Sequence, residues 1–207
     1  MDEKIVLRTN WESLAIRDGQ KLPHWSCDGA VYHVTFRLVD SVPEAKRRLW
    51  ATERASILGN AKAMGRELAD HEIDKLRYLF SEKVEKYLDA GHGECHLSIP
   101  KVGEMVARTL AYFDGERYRL HAYCVMPNHT HVIFEPLFDF GIKKIVHSWT
   151  SYSATQANKI LRRKGSFWQP EPYDHIIRSE REYWQQMEYV WNNPGNMRSG
   201  FVRWRRM

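Results

Sequence analysis

The sequence contains little cysteine and pairs none of it. Its three cysteines, Cys27, Cys95 and Cys124, are isolated, odd in number and outside any Cys-x-x-Cys motif. Disulfide frameworks and zinc–cysteine sites depend on paired or closely spaced cysteines. The sequence therefore argues against both kinds of site, and we expect the protein to work in a reducing compartment, the cytoplasm.

Long apolar runs are also missing. No stretch approaches the ~18 consecutive apolar residues that a membrane-spanning helix needs. The first ten residues, MDEKIVLRTN, lack the apolar segment of a secretory signal. Internal repeats and low-complexity linkers are absent as well. We therefore expect a soluble protein with a single domain over residues 1–207 and no membrane partner.

Neither sign of charge dominates strongly. Lys and Arg number 31 against 26 Asp and Glu, which gives a net charge of +5 and a pI near 9.1. Hydrophobic residues make up 43% and charged residues 28% of the chain, as in an ordinary globular protein. This balance allows a polyanionic partner without requiring one, because net charge governs association rather than fold.

The hydrophobic pattern predicts an α+β fold. VYHVTFRLV, residues 31–39, alternates between apolar and polar positions, and YRLHAYCVM and HTHVIFEP predict two further strands. Helical spacing predicts helices over residues 100–113, 140–163 and 179–193, the last of which ends at Asn-Pro-Gly. Elements in this order predict an antiparallel sheet covered by helices.

Other parts of the chain are less regular. Residues 43–64 and 67–90 predict two charged helices after the first strand, and we interpret residues 43–90 as a helical insertion at the edge of the sheet. Residues 1–30 show no clear periodicity, and GSFWQPEPYDHII reads as irregular. Neither of these stretches predicts a strand.

Two histidines stand one residue apart in MPNHTHVIF. Side chains of a β-strand alternate between its faces, so His129 and His131 project together while Thr130 and Val132 project to the other side. Two adjacent imidazoles can hold one divalent cation. They can equally line the wet edge of a sheet, so the pair alone does not establish a metal site.

The last predicted helix, SEREYWQQMEYVWNN, carries a tyrosine away from its apolar stripe. At 100° per residue the predicted core stripe consists of Tyr183, Trp184, Met187, Val190 and Trp191. Tyr189 falls nearly opposite this stripe among amide side chains, and Asn193 follows one turn later on the same face. One explanation is a half-exposed tyrosine with a solvated hydroxyl. The other is a phenolic nucleophile beside an amide that ligates a metal ion.

Three stretches in this order resemble one enzyme family. VMPNHTHVIF, FWQPEPYDHIIR and YVWNNPGNMRSGFV are similar to the REP-associated tyrosine transposases, a branch of the single-tyrosine HUH transposases. LPHWSCDGAVYHVTFRLVDSVP and YLDAGHGECHL extend the resemblance over most of the chain. The resemblance implies a ferredoxin-like or RRM-like antiparallel sheet, with the His pair on a central strand and a nucleophilic tyrosine on a C-terminal helix.

The resemblance also implies roles for particular residues. By position, His129, His131 and Asn193 would bind Mg²⁺ or Mn²⁺, and Tyr189 would be the catalytic nucleophile. The implied reaction cleaves and rejoins single-stranded hairpin DNA, such as REP-like palindromes, through a 5′-phosphotyrosine intermediate. The family usually has a bulky apolar residue between the two histidines, and Thr130 departs from that pattern. The implied protein is a bacterial monomer or homodimer, associated with the nucleoid when it binds DNA.

Basic residues near the long predicted helix and at the C-terminus are candidates for DNA binding. They are Lys143, Lys144, Arg162, Arg163, Lys164, Arg203, Arg205 and Arg206. The tail FVRWRRM alternates aromatic and arginine side chains, a combination that can stack on bases and neutralise phosphates. A solvated basic surface is the alternative explanation for the same residues.

Two other functions remain compatible with the sequence. A transposase-derived protein can bind structured DNA or RNA without cutting it, and such a protein has no need of Tyr189. A metal-dependent hydrolase can cut DNA with water as the nucleophile, which leaves no covalent adduct. A covalent link between Tyr189 and DNA would separate the transposase from both.

Overall fold

The computed structural model of the protein describes residues 7–18, 23–67, 69, 71–72, 82–193 and 202–206. The chain divides into two compact units: residues 1–39 together with 95–207, and residues 40–94. The second unit spans the stretch that we interpreted as a helical insertion. None of the described helices is long and apolar enough to cross a membrane.

The first unit is built on a five-stranded sheet. A hairpin of β1 (Asn10–Asp18) and β2 (Pro23–Asp28) precedes it. The strands of the sheet are β3 (Tyr32–Arg37), β4 (Tyr118–Val125), β5 (His129–Pro136), β6 (Tyr173–Ile176) and β7 (Val202–Arg205). They lie in the order β6-β3-β5-β4-β7, and every neighbouring pair is antiparallel.

The described α-helices are distributed over both units. The helices are α1 (Glu44–Ala63) and α2 (Glu82–Asp89) in the second unit, and α3 (Pro100–Ala111), α4 (Ile142–Ile160) and α5 (Glu180–Asn192) in the first. A short 3₁₀ turn, His96–Ser98, comes before α3. Within the first unit, the strands and α-helices from β3 to β6 follow in the order strand, helix, strand, strand, helix, strand, and these four strands lie in the order fourth, first, third, second. This is the ferredoxin-like arrangement, so the predicted α+β fold is confirmed.

One face of the sheet packs against α3 and α4. The predicted core face of residues 31–39 is buried there and consists of Tyr32, Val34, Phe36 and Leu38. The Tyr118 hydroxyl donates to the Leu110 carbonyl oxygen at 2.7 Å and accepts from Trp149 Nε1 at 3.0 Å. These two bonds tie β4 to both helices and satisfy a buried polar atom, which would otherwise destabilise the core.

The opposite face of the sheet packs against α5. A second core forms between them from Val31, Ala122, Cys124, Met126, Ile133, Ile177, Tyr183, Met187 and Val190. The helix begins at a capped end, because Ser179 Oγ accepts from the Glu182 backbone N–H at 3.1 Å. This packing brings the polar residues of α5 over the middle of the sheet.

A short turn centred on Pro127 and Asn128 joins β4 to β5. The Asn128 carbonyl oxygen accepts from the Leu38 N–H at 2.9 Å, and the Pro127 carbonyl oxygen accepts from the Leu97 N–H at 3.0 Å. Asn128 is fully buried. The turn is therefore fixed from both sides by neighbouring segments of the chain.

The second unit is helical in its described residues. Helix α1 confirms the helix predicted over residues 43–64, and α2 agrees with the end of the helix predicted over 67–90, whose remainder lies mainly outside the described residues. A small apolar cluster holds this unit and consists of Val42, Val84 and Leu88 with Trp50 and Tyr87.

The expectation that residues 1–30 and the stretch GSFWQPEPYDHII contain no strand is wrong. Strands β1 and β2 pair with each other in the first stretch. Strand β6 lies in the second and pairs with β3, with His175 opposite His33. Both stretches are polar and form strands through backbone pairing with a neighbour, so their own sequence shows little periodicity.

Candidate active site

The two histidines of MPNHTHVIF lie on the central strand of the sheet and face α5. Strand β5 is flanked by β3 and β4, and neither His129 nor His131 is exposed to solvent. Their Nε2 atoms are 3.0 Å apart. The possibility that the pair lines a wet strand edge is therefore excluded, because the pair lies in a buried layer between sheet and helix.

The outer nitrogen of each histidine contacts a polar group of the protein. His129 Nδ1 lies 2.7 Å from Asn128 Oδ1. His131 Nδ1 lies 3.0 Å from Thr35 Oγ1 and 3.1 Å from Nε2 of a third histidine, His33. An oxygen that accepts from Nδ1–H leaves Nε2 with its lone pair. The Nε2 atoms of His129 and His131 are thus arranged to act as ligands toward a common point.

Helix α5 brings Tyr189 and Asn193 to the same point. The Tyr189 ring packs edge-on against the His131 ring, with centroids 5.3 Å apart and an interplanar angle of 84°. The Asn193 amide nitrogen lies 3.4 Å from His131 Nε2. Because the two ends of an amide are assigned from their surroundings, rotation by 180° would turn Oδ1 toward the histidine pair. The structure thus brings together all four residues predicted for the catalytic and metal site.

The predicted faces of α5 need one correction. Tyr183, Met187 and Val190 are buried as predicted, but Trp184 is 44% exposed and does not belong to the core stripe. Tyr189 lies beside the buried stripe, not opposite it, and packs partly against the same core. Tyrosine and asparagine therefore occupy the flank of the helix that looks onto the histidines.

Burial keeps both histidines uncharged at neutral pH. Loss of solvation, with a smaller contribution from the nearby Arg37 guanidinium, lowers the pKa of His129 to about 3. Burial also holds the pKa of His131 well below its usual value, with smaller contributions from His129 and His33. Only a neutral imidazole binds a metal ion, so this protonation state allows both histidines to act as metal ligands.

The ligands available near this point are two imidazoles and one amide. Within the part of the chain that the structure describes, no three His, Cys, Asp or Glu side chains are grouped to hold a metal ion. The Asn193 Oδ1 atom is buried and accepts no hydrogen bond from any described residue. A buried acceptor of this kind fits an amide ligand, because a cation would satisfy it.

The basic residues predicted to bind DNA lie in two separate places. Lys143, Lys144, Arg162, Arg163 and Lys164 flank the two ends of α4, which packs on the face of the sheet opposite α5. Arg203 and Arg205 lie on β7 and contact the Trp191 ring of α5. Arg206 forms an ion pair with Asp114 at 2.7 Å. The α4 group is therefore separated from the histidine pair by the sheet.

Sequence reasoning missed His33, Thr35 and Gln186. His33 Nδ1 lies 2.7 Å from Gln186 Oε1, so a strand residue and a helix residue meet beside His131. The available signal was the polar alternation of YHVTF, where His33 and Thr35 occupy the face opposite the apolar core residues. That signal identifies a polar face but not its contact with β5, which depends on the pairing of the strands.

A protein-family model matches the segment of the chain that contains this site. The family model described as "Transposase IS200 like" matches residues 102–193, just under half of the chain. Those residues include the histidine pair, Tyr189 and Asn193. This segment is similar to the IS200-like transposases. It contains β4, β5, α4, β6 and α5, and therefore every residue predicted for catalysis and metal binding.

Two solved structures are similar to most of the chain at low identity. The REP-associated tyrosine transposase bound to a REP hairpin shares 15% identity over 86% of this chain and 73% of its own, with a TM-score of 0.47. A candidate transposase from Deinococcus radiodurans R1 shares 15% identity over 86% of this chain and 97% of its own, with a TM-score of 0.36. No curated protein matches the chain.

Proposed function

We propose that this protein is a divalent-metal-dependent tyrosine transposase of the REP-associated branch, which cleaves and rejoins single-stranded hairpin DNA. The observation that carries the proposal is the convergence of Tyr189 with His129, His131 and Asn193 between β5 and α5. The family match over residues 102–193 supports the same chemistry. The hairpin substrate follows from the resemblance of the three sequence motifs.

The residues at the site fit a divalent ion. The two Nε2 atoms lie 3.0 Å apart, and two ligands at right angles around one ion at about 2.1 Å have about this separation. Asn193 Oδ1 would be the third ligand, and substrate oxygens would complete the set. Imidazoles favour zinc and an amide oxygen favours Mg²⁺ or Mn²⁺, so the ligand types do not decide between the metals. When bound, the ion would polarise and orient the scissile phosphate.

Tyr189 would supply the nucleophile. Its phenolic oxygen attacks the phosphorus, the bond from phosphorus to the 3′ oxygen breaks, and the phenolic proton passes by way of solvent to the departing 3′ oxygen. The products are a 5′-phosphotyrosine link and a free 3′-hydroxyl. Attack by a 3′-hydroxyl on the phosphotyrosine reverses the step and joins two strands. One ester bond replaces another in each step, so rejoining needs no nucleotide cofactor.

Covalent capture of DNA tests this proposal. Hairpin DNA with randomised single-stranded flanks, labelled at its 3′ end, is incubated with protein and Mn²⁺ and separated on a denaturing gel. We expect label to migrate with the polypeptide, and mass spectrometry to locate it on Tyr189. Tyr189→Phe keeps the ring and its packing, so this variant should bind the DNA but form no adduct.

Tyr152→Phe is the matched control, because Tyr152 lies on α4 and is 55% exposed. This variant should form the adduct as the unmodified protein does. Cleavage without an adduct would identify a hydrolase that uses water. Binding without any cleavage would identify a DNA-binding protein, and an adduct on another tyrosine would refute the assignment of Tyr189.

A further inference from the structure

A third buried histidine links the metal-site histidines to α5. His33 lies on β3, is only 5% exposed, and places Nε2 at 3.1 Å from His131 Nδ1. Its other nitrogen, Nδ1, lies 2.7 Å from Gln186 Oε1 on α5. Gln186 stands one turn before Tyr189 and two turns before Asn193. A continuous chain of polar contacts therefore runs from the helix through His33 to His131.

The order of donors and acceptors along this chain follows from the acceptor at its end. A neutral histidine carries one N–H, and an amide oxygen can only accept. Gln186 Oε1 therefore requires the hydrogen of His33 to be on Nδ1. His33 Nε2 then has a lone pair, which accepts from Nδ1–H of His131. His131 in turn has only a lone pair on Nε2, the atom that faces His129.

Both histidines are almost completely buried, which disfavours a positively charged imidazole ring. Thr35 Oγ1 also contacts His131 Nδ1, at 3.0 Å. A hydroxyl can donate or accept, so Thr35 is compatible with either tautomer and does not select one. Among these contacts, the amide oxygen of Gln186 is the group that selects the tautomer of the two histidines.

We propose that Gln186 and His33 are positioning residues that fix the tautomer of His131, so that its Nε2 lone pair is directed at the metal ion. This inference rests on the proposed function, since it concerns the same site. It adds that the helix carrying the nucleophile also prepares the ligand. If α5 leaves the sheet, Gln186 leaves with it, and His33 loses the contact that holds its hydrogen on Nδ1 and so keeps Nε2 of His131 unprotonated.

The tautomer can be measured directly and without DNA. Long-range ¹H–¹⁵N NMR on histidine-labelled protein at fixed neutral pH shows which ring nitrogen carries the hydrogen. We expect the metal-free protein to show His131 and His33 protonated at Nδ1. Gln186→Lys replaces the acceptor with a donor, which should move the hydrogen of both rings to Nε2. Gln186→Met removes the hydrogen bond at nearly constant size, so both tautomers of His131 should be populated.

Metal affinity is the second readout. Loss of such an outer contact lowers metal affinity about 10- to 100-fold, so Mn²⁺ titration of Gln186→Met should show a weaker site. Gln185→Met and Gln185→Lys are matched controls, because Gln185 is the exposed neighbour of Gln186 on α5. Both should keep the tautomer and the affinity. Should Gln186→Lys fail to fold, the neutral Gln186→Met variant carries the test.

Two results would overturn the inference: His131 protonated at Nε2 in the unmodified protein, or a Gln186→Met variant with one unchanged tautomer and unchanged Mn²⁺ affinity. Failure of the proposed function gives a different pattern. In that case no DNA adduct forms, while the tautomers and their response to Gln186 are as expected. An adduct that forms normally in Gln186→Met, with no change of tautomer, refutes only the role of Gln186 and His33.

Discussion

The Arg203 guanidinium lies 4.1 Å from the centre of the Trp191 ring, and its Nη1 atom donates to the Trp191 carbonyl oxygen at 2.6 Å. The Arg205 guanidinium lies 4.7 Å from the centre of the same ring. Strand β7 therefore holds the last turn of α5 at a position between Tyr189 and Asn193. Two arginines that were predicted to bind DNA thus contact the helix that carries the proposed nucleophile.

Replacing Trp191 with Ala should weaken metal binding. Each cation–π contact at an exposed site contributes about 0.5–1 kcal/mol, so losing both loosens the turn that carries Asn193. We expect Mn²⁺ affinity to fall by up to about tenfold, the equivalent of 1.4 kcal/mol. Trp184→Ala on the same helix is the control, since Trp184 is 44% exposed. Equal Mn²⁺ affinity of the two variants would contradict a positioning role for β7.

Replacing His129 or His131 with Ala should abolish metal-dependent cleavage and also reduce stability. Both side chains are fully buried, and their removal takes away the contacts with Asn128 Oδ1 and Thr35 Oγ1. Loss of a buried hydrogen bond costs about 1–3 kcal/mol. Urea unfolding of the metal-free proteins measures this loss. His147→Ala, on the exposed face of α4, should change neither property, and full cleavage by both site variants would refute the metal site.

Acid should destabilise the protein through His121. Burial, with smaller contributions from the positive charges of Arg119 and Arg206, lowers the pKa of His121 to about 4. Between pH 6.5 and 4 the unfolded chain therefore binds a proton that the folded chain excludes, so stability falls as pH falls through this range. The resulting loss in the free energy of unfolding reaches roughly 3 kcal/mol near pH 4 and is small above pH 6.5.

His121→Gln tests this titration. The free energy of unfolding of both metal-free proteins is measured from pH 4 to 7. Because the other buried histidines titrate in the same direction in both proteins, the difference between the unmodified protein and the variant isolates His121. We expect the variant to lose less stability on acidification, and parallel curves for the two proteins would be evidence against the buried neutral histidine.

Thr130→Val should stabilise the protein by about 1 kcal/mol. Thr130 lies between the two histidines, is fully buried, and its Oγ1 atom has no hydrogen-bond partner among the described residues. Valine has nearly the same shape and removes the unsatisfied hydroxyl. Thr35→Val is the contrasting variant, because the Thr35 hydroxyl contacts His131 and its loss should destabilise. A destabilised Thr130→Val protein would show that this hydroxyl is satisfied in solution.

The salt dependence of DNA binding should distinguish Arg203 and Arg205 from Arg206. Each single-strand phosphate contact contributes about 0.7 to the slope of log affinity against log salt. Replacing Arg203 and Arg205 together should reduce the slope for single-stranded DNA if both contact phosphates. Arg206→Ala should change it little, because Arg206 is paired with Asp114. A slope that depends on Arg206 and not on the other two would reverse this assignment.

The sequence predicted those parts of the fold whose pattern is set by burial. Residues 31–39 and HTHVIFEP alternate because one side of each strand enters the α3–α4 core, and the alternation also predicted that His129 and His131 share a face. The short strands β6 and β7 escaped prediction because pairing with β3 and β4 holds them. His33 escaped for the same reason. Its contact with His131 depends on strand register, which a single sequence does not contain.

The turn at Pro127 and Asn128 limits how this protein can vary. Tight turns between strands are usually the sites where a chain accepts insertions, circular permutation or new sequence. Here both turn carbonyls bind neighbouring backbone, and the Asn128 side chain contacts His129. One extra residue in the turn would break these contacts and shift the histidines by one position, which sends both to the other face of the sheet. Libraries of altered proteins should therefore leave this connection unchanged and place their diversity elsewhere.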